Sequence, residues 1–172
     1  IAGRTQQVYV DDISISLLLD GLCAPFGLIW WHEPNGIHVV SSAELEQPAV
    51  LAYRRDAGKR LLRSALVVAP ESSQAGYSRV SLGILQFQNA SPVDAAYTFQ
   101  LQMESNPRSE VEGEAAHNLG KCYLATAQLD RAKDAFLKAV DSSSHNFNAR
   151  IGAYLYVGRL QIEQGQFQPA VS

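Results

Sequence analysis

The sequence predicts an α+β protein in three parts: a small β-α-β-β domain over 1–42, a connecting helix over 43–75, and an all-α array of helical repeats over 76–172. Three observations predict it. Alternating β-branched and aromatic residues surround a Pro34-Asn35-Gly36 turn. A helical periodicity runs from Ala49 to just before Pro70. A pattern of a large residue, Gly, then Ala and Phe recurs downstream: Leu82-Gly83 with Ala95 and Phe99, Leu119-Gly120 with Ala132 and Phe136, and Val157-Gly158 with Ala170. The array therefore holds about two full units and one truncated unit.

Element by element, Gln7 to Val10 alternates and reads as a strand, and Asp11 or Asp12 is placed to cap a helix starting near Ile13. Ile15, Leu18, Leu19 and Leu22 recur at helical spacing and predict one buried stripe, ended by Pro25 and Gly27. Leu28 to Glu33 and Ile37 to Ser41 are strands joined by a hairpin, because Asn-Gly accepts the positive φ of a tight turn. Trp30 and Trp31 must leave opposite faces, one beneath the helix and one needing other cover. Ser41, Ser42, Glu44 and Glu46 suit the start of the connecting helix, with Pro48 in its first turn. That helix, through Leu62 and Ala65, is a connector or the second helix of a degenerate repeat, and Glu71 to Gly76 is a polar linker.

In the clearest repeat one helix runs from about Gly113 to Ala125 and a second from about Leu129 to Asp141. Upstream, Ser91-Pro92 is a cap and first-turn proline, and Asn106-Pro107 ends that helix. Ala95, Ala132 and Ala170 are spaced 37 and 38 residues apart. That spacing exceeds the two helices of one unit, so long inter-repeat loops are expected, Ser142 to Asn148 among them.

Composition narrows the function. The chain of 172 residues is 47% hydrophobic and 18% charged, which fits a folded core rather than disorder. Net charge is −3, and the densest basic cluster, Arg54, Arg55, Lys59, Arg60 and Arg63, spreads around its helix as a solvated face. No nucleic-acid partner is expected. No apolar run of about 18 residues occurs, so membrane contact is expected only through parts outside this segment. The chain starts at Ile1 without a signal peptide and reaches Ser172 inside an apparent helix, so it reads as a segment of a longer protein. Cys23 and Cys122 show no metal-ligand or redox spacing and read as small buried apolar residues.

Catalytic patterns are lacking. His32 and His38 flank the hairpin and are placed to face each other across it, but two imidazoles make a poor zinc site, and Glu33 is expected on the opposite face. His117 falls on a repeat helix and His145 in a serine-rich loop, without ligand spacing. No phosphate loop, GxSxG or HExxH motif occurs. The expectation is a non-enzymatic chain with no catalytic residue, metal, cofactor or small-molecule substrate.

The unit built on Ala116, Leu119-Gly120, Tyr123, Ala132, Phe136 and Ala139 resembles a tetratricopeptide repeat. That resemblance implies paired helices stacked into a superhelix, a concave groove lined by the first helix of each pair, and a protein or peptide partner. Carried onto this sequence, the groove comprises Tyr77, Val80, Ile84 and Phe87, then His117, Lys121 and Leu124, then Leu155, Arg159 and Ile162. It is apolar with two positive points. Asn118 does not match the Lys–Asn pairing of members that clamp a terminal carboxylate. The N-terminal segment, through Val8-Tyr9-Val10, Ser16 to Asp20, Phe26-Gly27-Leu28 and Ile37 to Val40, resembles the short N-terminal domain of secretins and TonB-dependent receptors. This second likeness implies a bacterial envelope or periplasmic scaffold; a cytoplasmic location is the alternative. Self-assembly into homo-oligomers and a regulatory role within a larger enzyme remain the alternative functions.

Overall fold

The computed structural model describes residues 14–142 and 146–165. The expected strand over Gln7 to Val10, the Asp11 or Asp12 cap of the helix after it, His145 and Ala170 lie outside the described residues. The described chain is mostly helical, with seven α-helices and one two-stranded antiparallel sheet, an α+β protein. It divides into two compact units, the boundary falling between Leu61 and Leu62.

The first unit contains α1 (Ile15–Cys23), β1 (Leu28–Glu33), β2 (Gly36–Ser41) and the start of α2 (Gln47–Val68). Ser14 caps α1, its side chain accepting from the Leu17 amide. The expected apolar stripe is not what α1 buries. Ile15 is 66% exposed, Leu18, Leu19 and Leu22 are half-buried, and the buried residues are Asp20 and Cys23. The helix ends in a 3-10 turn over Ala24–Phe26, and Gly27, at φ 66°, turns the chain into β1. In the hairpin Glu33 pairs with Gly36, leaving Pro34 and Asn35 as the loop. The positive φ falls on Gly36 alone, at 143°. The Ser42 amide donates to the Gly27 carbonyl and closes the open end of the hairpin. Ser41 caps a short 3-10 turn before α2, and Pro48 occupies the first turn of that helix, where a missing N–H costs nothing.

The second unit holds the end of α2 and α3 (Ala75–Gln88), α4 (Pro92–Ser105), α5 (Glu112–Ala125), α6 (Leu129–Asp141) and α7 (Phe147–Glu163). Gly76, expected in a linker, is buried inside α3. Each helix packs on the next from α3 to α7, and α3, α5 and α7 also touch in succession. Two crossings repeat. A Cβ built at Gly83 would lie 2.6 Å from the Phe99 ring, and one at Gly120 would lie 2.6 Å from the Phe136 ring. Both rings are fully buried, together with Ala95 and Ala132 one turn earlier. The helix-to-helix turns repeat as well. Ala90 and Ala127 adopt left-handed φ values of 57° and 56°, and their amides donate to Phe87 O and Leu124 O at 3.1 Å. Gly165, at φ 69°, donates in the same way to Ile162 O. Ser91 precedes Pro92 but makes no side-chain cap, whereas Asn146 caps α7 by accepting from the Ala149 amide. Gly158 departs from the pattern: among the described residues nothing lies within 4 Å of a Cβ placed there.

These contacts separate three glycines that look alike in the sequence. Gly120→Ala is expected to cost about 1–3 kcal/mol through overpacking against Phe136. Gly158→Ala should instead stabilise by roughly 0.5–1 kcal/mol, the gain from removing a helical glycine. Urea unfolding of the two variants against the parent chain checks the opposite signs.

Candidate functional site

In the first unit, the side chains that matter gather around the carboxylate that α1 buries. Asp20 is 0% exposed. Arg60 donates from Nε to Oδ2 at 2.7 Å and from Nη2 to Oδ1 at 2.9 Å. Trp30 Nε1 donates to Oδ1 at 2.9 Å and the Tyr53 hydroxyl at 3.2 Å. Burial by itself would raise the Asp20 pKa, but the hydrogen bonds from Arg60 and Trp30 outweigh it and hold the carboxyl below its usual range. Burial first, and then the Asp20 charge, push the Tyr53 phenol up to about 12. Both carboxylate oxygens are engaged by fixed donors, so the group acts as a tie rather than as a base. Arg60 therefore leaves the solvated basic face expected of it, while Lys59 pairs with Asp56 at 2.7 Å.

The hairpin places its polar residues differently from expectation. The register sets His32 opposite Ile37 and Trp31 opposite His38. His38 stacks on Trp31 with centroids 5.5 Å apart, and its Nε2 lies 3.2 Å from Glu33 Oε2. Trp31, Glu33 and His38 thus share one face and the two histidines do not pair, because a two-residue loop fixes the register that brings residue 31 opposite 38. Trp30 turns the other way, toward Asp20.

Along the array, Val80 is core at 4% exposure and does not line a groove. Ile84, Phe87 and Leu124 are half-buried and pack their inner edges on the core. Lys121 Nζ sits 5.5 Å from the centroid of the Phe87 ring and 3.4 Å from Asn118 Oδ1, which brings residues of α3 and α5 together. Tyr77 is half exposed and donates to Glu110 Oε2 at 2.8 Å. It lines an open pocket of about 390 Å³ with Glu110, Val111, Glu114 and Asn146. Arg159 is exposed and tied to Glu163 one turn on at 2.8 Å, while Ile162 is 63% exposed and Leu155 70%.

His117 sits where three helices meet instead of facing open space. Its ring lies 5.7 Å from Phe136 of α6 and 5.8 Å from Tyr156 of α7, and those two rings stack at 4.6 Å. A Cβ at Gly152 would come within 2.7 Å of His117 Cε1. Its Nδ1 is buried with no hydrogen-bond partner among the described residues. Burial first, then the nearby Lys121 charge, lower its pKa below the usual histidine value. The sequence signal that could have found this seat is Gly152, a second glycine in α7 that the repeat pattern does not require.

Cys23 and Cys122 are buried free thiols, and burial raises the Cys122 pKa to about 11. Among the described residues no three His, Cys, Asp or Glu side chains converge to hold a metal ion. No helix there is long and apolar enough to cross a membrane. No family model and no curated protein matches the chain.

Two pH responses follow, with opposite substitutions to isolate them. The lowered Asp20 pKa means its contribution is present above the ordinary aspartate pKa and lost as pH falls through the folded value. Fluorescence of Trp30 and Trp31 should report acid unfolding of the first unit, and Arg60→Met should move that transition to higher pH. The cost should be about 2 kcal/mol, below the 3–5 of a fully buried pair because the guanidinium is partly solvated. For His117 the neutral form is favoured on folding. Stability of the second unit should be full above the ordinary histidine pKa and decline as pH drops below it. In His117→Phe, hydrogen exchange on α7 should lose that slope.

Proposed function

We propose that the second unit is a tetratricopeptide-like scaffold that binds a peptide or protein partner along its successive first helices. The observation that carries this reading is the Lys121 ammonium poised over Phe87 between two helix pairs, flanked by the half-buried Ile84 and Leu124. Among the described residues no carboxylate forms an ion pair with Lys121, so its charge remains available to an acidic group. By the tetratricopeptide likeness, the first helices α3, α5 and α7, which touch in succession, would line the inner side of the stack. The partner is an extended or helical segment with apolar anchors for Ile84, Phe87 and Leu124 and an acidic group for Lys121. Tyr77 extends this surface at one end and Arg159 at the other.

Scaffolding of this kind is non-enzymatic. The polar groups that are most buried, Asp20, Gln102 and Glu112, are consumed by structural hydrogen bonds. The first unit, by its likeness to the secretin-type N-terminal domain, is proposed to contact another component of a bacterial envelope. That assignment of compartment rests on the likeness alone.

Lys121→Glu should leave the unfolding midpoint nearly unchanged and weaken partner capture at least tenfold, about 1.4 kcal/mol. Quantitative pull-down from a bacterial envelope extract, with proteins identified by mass spectrometry, provides the comparison. Capture of every partner at the parental level by the charge-reversed chain would refute the groove.

A further inference from the structure

Three helices of the second unit close on one imidazole. The His117 ring of α5 sits against Phe136 of α6 and against Tyr156 of α7, whose own rings stack. The α7 backbone reaches it where Gly152 has no side chain. A Cβ there would lie 2.7 Å from Cε1 and 3.4 Å from each ring nitrogen. Nδ1 lies buried in this seat with no hydrogen-bond partner among the described residues. An imidazolium carries a proton on both nitrogens. Charging His117 in place would therefore leave a buried N–H without an acceptor.

The groups around the seat do not offset that cost. On α5, Lys121 one turn on repels a second positive charge, and Glu114 one turn back accepts from Asn146. On α6 the ring meets Phe136, with Lys133 one turn before it. On α7 it meets Gly152 and the ring of Tyr156, with Arg159 one turn beyond and bound to Glu163. Burial first, and then the Lys121 charge, favour the neutral ring.

Among the described residues, α7 packs on α6 and α5. It buries Ala149, Ala153, Val157 and Leu160. Two of these four are alanine, so little apolar area anchors the helix, and such an element opens before the rest of a fold. The crossings of Gly83 with Phe99 and of Gly120 with Phe136 contain no ionisable side chain.

We propose that His117 is a proton-operated latch on α7. With a neutral ring, α7 closes on α5 and α6. When the ring is protonated, water must reach Nδ1, and α7 parts from His117 and Phe136 while α3 to α6 stay folded. The opening is local and reversible, and it uncovers Ala153, Val157 and Tyr156. It does not depend on the groove of Ile84, Phe87 and Lys121.

Hydrogen exchange with mass spectrometry, corrected for intrinsic exchange rates, tests the latch in the full chain. As pH falls below the ordinary histidine value, protection of α7 should drop by up to tenfold per pH unit, one proton being taken up on opening. Protection of α3 and α4 should hold over the same range. His117→Phe should keep α7 at its neutral-pH protection throughout. Gly152→Ala, which wedges the ring out of its seat, should release α7 already at neutral pH. NMR titration of the His117 Cε1 proton should share its midpoint with the opening. Loss of protection in α3 and α4 together with α7 overturns the inference, since that is global unfolding. So does an α7 slope that persists in His117→Phe, parental α7 protection in Gly152→Ala, or His117 titrating with no change in α7.

Discussion

Replacement of a side chain by a neighbour's ring holds the helical unit together. At Gly83 and Gly120 the helix surface is bare, and Phe99 and Phe136 lie so close that a single added carbon would overlap them. Each ring is wholly buried. Two helices can approach this closely only where one presents no Cβ, and the aromatic then recovers the apolar burial that glycine cannot provide. The cost is helical propensity at the glycine. Alternation of bare and bulky positions sets the axial distance, and that distance places Ala95, Ala115, Ala132, Ala139 and Ala153 in the core with almost no exposure.

The small first unit works by a different economy. It has little apolar surface to bury, and α1 leaves Ile15 exposed. It gathers instead around one carboxylate. Asp20 receives donors from β1, through Trp30, and from α2, through Tyr53 and Arg60. A buried charge is tolerable only when its oxygens are fully engaged, and here they are. The arrangement specifies a geometry more than it adds stability, because every donor has one place from which it can reach Asp20.

The candidate surfaces differ in how legible they are. Lys121, Phe87, Ile84 and Leu124 are aligned by the repeat register that the resemblance supplies, and Lys121 lies over Phe87. The same register points Val80 and His117 at that groove, yet Val80 is core and His117 lies among Phe136, Tyr156 and Gly152. Register reports which residues are equivalent within each unit. It does not report how much of each the following unit covers, which depends on the size of side chains a whole repeat away. The histidine pair failed for a similar reason. Hairpin register depends on where the loop ends, and ending it at Asn35 rather than at Gly36 moves the partner of His38 from His32 to Trp31.

Among the described residues, periodicity and side-chain size alone determined the helical segments, the strands β1 and β2, the hairpin position, and the Leu-Gly-Ala-Phe pattern at Gly83 and Gly120, since those signals are local and the chain carries them in order. The bounds of α6 and the last residue of α5 match what the spacing predicts. Tertiary structure decided which polar groups are buried. Asp20 reads as an ordinary surface residue because its partners lie 10, 33 and 40 residues away, and no local pattern encodes a convergence of that range. It also decided that Gly83 and Gly120 are covered by rings, while among the described residues nothing covers Gly158. The three are chemically identical, and only the described neighbours facing them distinguish one from another.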